Sequence, residues 1–330
     1  MNEIPPINIP AVLKYYGISL LFFVLVSCAS APNSSTPYQQ FTTDFPTQIF
    51  TPTKLIVVDI TTTPTLEASK PPSSTPAVPT YTTTPDTRLT AKYWRKWNVV
   101  PELSYKAGEI LRSAIAESNL VPNTFSKVGD CQFTTGTFLA GYVNGVYLTP
   151  SEMEPTVLFF RDSMLQDSIT AAGGLGISSV LNPMFGLAAG HTECASNETP
   201  LDCELRIRQP AFVLIAMGTN WAPHAEISYE KYLRQVVDKI LETGALPILS
   251  TKADNVEGDW KLNEVTAQVA YDYDLPLVNV WRAVQFLPNH GLDLESPKKI
   301  YLTPDGWLVR NDVWLRMLDL IRHTLEQELN

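Results

Sequence analysis

Residues 210–218 read Pro-Ala-Phe-Val-Leu-Ile-Ala-Met-Gly, a continuous apolar run of strand length. Such a run marks a strand covered on both faces, as in a parallel sheet layered between helices. Residues 228–243 that follow are amphipathic. Tyr232, Leu233, Val236, Val237, Ile240 and Leu241 form one stripe, Ser228 can cap it and Gly244 ends it. Residues 246–250 are the next strand, so residues 211–250 make a right-handed strand–helix–strand crossover. The same alternation runs through the rest of the C-terminal part. Helices are expected over residues 104–118, 259–271 and 311–329, the last with Trp314, Leu318, Ile321 and Leu325 inward. Strands are expected over 123–129, 156–160 (TVLFF) and 275–280. The pattern predicts a doubly wound, flavodoxin-like α/β domain over residues 89–330. It is a three-layer α/β/α sandwich on a mainly parallel sheet of about five strands.

The N-terminal part obeys different chemistry. Residues 15–26 are almost wholly apolar and stop at Ser27-Cys28. The run is shorter than the roughly 20 residues of a membrane-spanning helix and suits a signal-peptide core. Apolar residues, a small residue and then Cys resemble a bacterial lipobox. That resemblance implies cleavage before Cys28, a lipid on its thiol, and a location outside the cytoplasm on the cell envelope. The other reading is an uncleaved N-terminal anchor, which also exports the chain. Residues 29–88 are rich in Thr, Pro and Ser, with too few apolar side chains to bury a core. They are expected to be a disordered stalk, roughly 40 Å long as a coil.

The net charge of −10, without a long Lys/Arg run, gives nucleic-acid binding no support. Cys28, Cys131, Cys194 and Cys203 form no CxxC pair, so no metal site is expected, and no cofactor motif is evident. Cys194 and Cys203 share one polar segment of an exported chain and are expected to form a disulfide, leaving Cys131 unpaired.

Lys127-Val128-Gly129-Asp130-Cys131 reads as a strand turning sharply into a helix start, so Cys131 sits at the carboxyl end of a strand, where ligands bind in open α/β sheets. There it could be a nucleophile activated by the helix N-terminus, or a small buried stand-in for one.

Four stretches in order resemble the SGNH, or GDSL-type, hydrolases. They are Gly129-Asp130-Cys131, Ala172-Gly173-Gly174, Gly218-Thr219-Asn220-Trp221 and Tyr301-Leu302-Thr303-Pro304-Asp305-Gly306-Trp307. The resemblance implies an oxyanion hole made by the Cys131 N–H, the Gly174 N–H and the Asn220 side chain. It places Cys131 where that family has its nucleophilic Ser, Tyr301 where it has the basic His, and Lys298 where it has the orienting Asp. Every proton-handling position therefore departs from the pattern. A tyrosine does not work as a base at neutral pH, and a lysine cannot accept an imidazole hydrogen bond. His224 and His290 follow strands at the same sheet edge and are the candidates for a substitute base.

Two functions follow. One is a membrane-anchored SGNH-hydrolase-like protein with degraded catalytic machinery that binds a glycan or acyl ester, as a monomer. The other is an active esterase or deacetylase-like hydrolase of acyl esters with Cys131 as nucleophile.

Overall fold

The computed structural model describes residues 88–330, except 119, 189, 297, 298 and 330. The expected signal peptide, Cys28 and the stalk lie outside the described residues, as does Lys298. No helix among the described residues is long and apolar enough to cross a membrane.

Four strands form one parallel sheet in the order β1 (Val121–Gly129), β2 (Pro210–Ala216), β3 (Leu246–Ser250) and β4 (Leu277–Val278). β3 and nearly all of β2 are buried, as is the second half of β1, because helices cover both faces. The Tyr105–Ala116 and Pro304–Leu329 helices pack together on one face. The Pro200–Arg208, Glu226–Glu242 and Lys261–Asp272 helices pack in succession on the other. Ser104 caps the Tyr105–Ala116 helix, accepting from Ala107 N at 3.2 Å. The Glu226–Glu242 helix begins before the expected cap: Ser228 Oγ lies inside it and donates to Ala225 O.

One expected strand is absent. Residues 156–160 lie in and just after a helix, Glu154–Phe159, not in the sheet. Pro155 sits in its first turn, where proline's fixed φ suits a helix. Thr156, Val157 and Phe160 are buried while Leu158 is 67% exposed, which is a helical face rather than a strand covered on both sides. A five-residue apolar run carries too few turns for its periodicity to separate the two.

The outer edge of β1 is satisfied without a fifth strand. Phe125 N donates to Ser163 Oγ (3.1 Å), Lys127 N to Ser168 Oγ (3.0 Å) and Gly129 N to Thr170 O (3.0 Å). Two serine hydroxyls thus replace ladder carbonyls, and the sheet extends only as one parallel bridge between Gly129 and Ala171. An edge closed in this way cannot template another chain.

Candidate functional site

The loops leaving β1, β2 and β3 and the start of the last helix meet at the carboxyl edge of the sheet. Gly129 ends β1 in contact with Phe133: a Cβ there would stand 2.3 Å from Phe133 Cβ, so only glycine fits. Phe133 is fully buried and stacks on Phe138 at 4.2 Å, which holds the three-residue 3-10 turn Cys131–Phe133 in place. A full helix does not follow, so the expected helix-dipole support for Cys131 is absent. Asp130 caps this turn, accepting from Gln132 N at 2.9 Å. Burial pushes its carboxyl up to about 6, with the Asp254 charge adding to the rise and the Gln132 N–H and Arg310 opposing it.

Cys131 is buried and disulfide-bonded, not the unpaired thiol expected at the nucleophile position. Cys194 and Cys203 are also joined, with Cα atoms 5.5 Å apart. Glu198 lies beside them, but sulfurs bonded to each other are not thiolate ligands for a metal.

The β2 loop supplies Thr219 and Asn220. Thr219 Oγ1 donates to Asp254 Oδ2 at 2.8 Å. Asn220 Nδ2 is buried and has no hydrogen-bond partner, an N–H donor left unused. The glycine segment after the Ala171 bridge passes close by: a Cβ on Gly176 would contact Asn220 O and the Trp221 ring. Gly174 is exposed on that segment, with φ +84°.

The final block is locked to the first. Gln132 Nε2 donates to Ile300 O at 2.9 Å, and Leu302 forms an antiparallel bridge with Leu292. The last helix begins at Pro304, seven residues before the expected start at 311, with Thr303 Oγ1 accepting from Gly306 N. Gly306 is needed here because a Cβ would stand 2.5 Å from Gly291 O. Tyr301, at the position of the base, has its phenol raised above the ordinary tyrosine value, first by burial and then by the Asp130 charge. It is a protonated donor at neutral pH and does not act as a base.

Sequence reasoning missed the groups that surround a small cavity beside Asp130. Thr219, Ser250, Thr251, Lys252 and Arg310 line it. Lys252 Nζ donates to Asp254 Oδ1 (2.7 Å) and Glu257 Oε2 (2.5 Å), all three side chains being buried. Arg310 lies four residues before Trp314 on the inward stripe of the last helix. A cation on that apolar stripe was the signal available.

The substitute bases are not brought to this cavity. His224 is exposed in a left-handed backbone conformation, and His290 is exposed with its Nδ1 against Gln285 O. Neither lines the cavity.

No protein-family profile matches the chain, and no curated protein matches it. Solved structures do. A GDSL-like lipase from Bacteroides thetaiotaomicron is 13% identical, with a TM-score of 0.39 over 64% of this chain and 98% of that one. A lipase/acylhydrolase from Enterococcus faecalis is 16% identical, with a TM-score of 0.37 over 61% and 96%. The psychrotrophic esterase EstA from Pseudoalteromonas is 17% identical, with a TM-score of 0.37 over 62% and 99%.

Proposed function

We propose that this chain is an exported, lipid-anchored SGNH-hydrolase-like protein that binds an acyl ester, on a glycan or a lipid, and does not turn it over efficiently. The observation that carries the reading is Asn220 Nδ2: a buried amide donor without a partner, in the loop that leaves β2. A buried donor left unmade costs stability unless a ligand uses it, and an ester carbonyl supplies the acceptor. The positions that would move protons do not support fast hydrolysis. Tyr301, where the base would stand, holds its proton. Anchoring rests on residues 15–28 alone.

The test is an assay of the full-length protein on short-chain aryl esters and acetylated sugars, alongside direct binding of the same sugars. Loss of a serine-hydrolase triad as a unit costs about 10⁶ in turnover. From an ordinary value near 10 s⁻¹ the expected turnover is therefore about 10⁻⁵ s⁻¹. Asn220→Ala should weaken binding about tenfold, as for one buried hydrogen bond. The triple change Cys131→Ser, Lys298→Asp, Tyr301→His should bring activity up. Wild-type turnover above about 0.1 s⁻¹, two orders below an ordinary enzyme, that vanishes in Cys131→Ala would overturn the binding reading in favour of an active esterase. Mass spectrometry of the mature N-terminus tests anchoring: a diacylglyceryl Cys28 is expected, and an intact Met1 in a membrane-free fraction refutes it.

A further inference from the structure

We propose that the buried guanidinium of Arg310 and the cavity beside Asp130 form a binding site for one small carboxylate, of formate or acetate size. This does not rest on the ester-binding reading above, whose donor is Asn220. Arg310 is 3% exposed, and both Nη1 and Nη2 are buried without a hydrogen-bond partner. The rings of Phe133 and Phe138 stand 5.0 Å from its guanidinium carbon, and that of Trp307 5.4 Å. Rings satisfy the faces of a guanidinium, not its N–H edge. Two adjacent unpartnered Nη groups are a fork that matches the two oxygens of a carboxylate.

The other groups around the cavity are already committed. Lys252 is held by Asp254 and Glu257. Thr219 Oγ1 donates to Asp254, Ser250 Oγ to Thr251 O, and Thr251 Oγ1 to Asn279 Oδ1. Arg310 is therefore the donor left for a ligand. The space is small, about 20 Å³ for the centre of a water-sized sphere, where one water needs roughly 10–15 Å³. A planar carboxylate matches the guanidinium fork, which a tetrahedral sulfate does less well.

Charge sets the condition for entry. The groups that face Asp130 are Arg310 on the last helix, Asp254 with its partners Lys252 and Glu257 after β3, Thr219 after β2, Tyr229 on the Glu226–Glu242 helix, and Tyr301 in the final block. Lys252 against two carboxylates leaves one negative charge, and ionised Asp130 cancels Arg310. A carboxylate entering beside ionised Asp130 meets a like charge, so binding takes up one proton at Asp130. With its carboxyl at about 6, Asp130 is mostly protonated at pH 5.5 and mostly ionised at pH 7.5.

The test is calorimetric titration of the full-length protein with sodium formate and sodium acetate at both pH values, with sulfate holding the ionic strength. Binding should be about 20-fold tighter at pH 5.5, the ratio of protonated fractions for that carboxyl. The heat should vary with the ionisation enthalpy of the buffer, since a proton is taken up. Arg310→Met should abolish binding, and Asp130→Asn should bind at pH 7.5 as the wild type does at pH 5.5. No saturable heat at pH 5.5, undiminished binding in Arg310→Met, or equal competition by sulfate would overturn the proposal and leave water as the occupant. If Arg310→Met does not fold, a pH dependence that persists in Asp130→Asn overturns it equally.

Discussion

Lys252 and Arg310 are both cations buried beside one cavity, and they are held in opposite ways. Lys252 sits between Asp254 and Glu257 at 2.7 and 2.5 Å, with a third bond to Asp254 O at 2.9 Å. Its ammonium is a compact charge whose three N–H donors are all used. Arg310 has aromatic rings on its faces and no hydrogen bond on Nη1 or Nη2. Burying a charge is costly, and close opposite charges with full hydrogen bonding offset that cost. Lys252 has the offset from its own loop. Arg310 lacks it among the described residues. The first is therefore a structural pin for the loop after β3, and the second is a group whose Nη1 and Nη2 no described residue partners.

The largest expected effect of breaking this contrast is at Lys252. Lys252→Met leaves Asp254 and Glu257 buried side by side without a cation. Removing one partner of a buried ion pair costs about 3–5 kcal/mol. Urea unfolding of wild type and variant at pH 7.5 measures it. A loss below about 1 kcal/mol, the value of an exposed pair, would show that the cluster is hydrated and that the two cations do not differ as described.

Asp130 sharpens the comparison from the acid side. Its carboxyl is raised from the ordinary 3.8 to about 6, chiefly by burial. Between these values the folded chain holds a proton that the unfolded chain has released. This stabilisation is fully present below about 4 and is lost as pH rises through about 6. Asp130→Asn can keep the bond from Gln132 N and removes the charge. It should be the more stable protein at pH 7.5, by up to about 2–3 kcal/mol from the size of the shift. The gap should close as pH falls from 6 to 4. Parallel unfolding curves across that range check it, and a gap that does not depend on pH would remove the electrostatic role given to Asp130.

How far these features were legible in the sequence depends on what kind of pattern carries each. The crossover from β2 through the Glu226–Glu242 helix to β3 was readable, because its strands are covered on both faces and its helix on one. The Thr156–Phe160 run was not, because five residues satisfy helix and strand spacing alike. The closure of β1 by Ser163 and Ser168 was not, because a hydroxyl that replaces a ladder carbonyl leaves no periodic trace. At the site, Gly129, Asn220 and Gly306 were legible as motif residues, and the close contacts a Cβ would make show why two of them are glycines. The cavity was not, since Asp130, Thr219, Lys252 and Arg310 come from four separate segments that only the sheet edge brings together.

The smallest expected effect is at Arg310. Arg310→Met removes a buried cation that no hydrogen-bonded counter-ion offsets, which favours the variant by part of a several-kcal/mol desolvation term. It also removes the cation–π contacts with Phe133, Phe138 and Trp307, each worth about 0.5–2 kcal/mol. A thioether keeps favourable contacts with the same rings and fills much of the volume. These terms oppose one another, so in carboxylate-free buffer at pH 7.5 the stability should change by less than about 1 kcal/mol. One consequence does not cancel. Arg310 holds the Asp130 carboxyl down, so its loss should move the acid-side gain described for Asp130 to higher pH. Unfolding curves in the same buffers measure both quantities. A loss as large as that of Lys252→Met would show that Arg310 is pinned by contacts of its own, and the two cations would then be alike. An unchanged midpoint with the acid-side gain displaced upward would show a cation that the fold tolerates rather than needs, while still acting on Asp130.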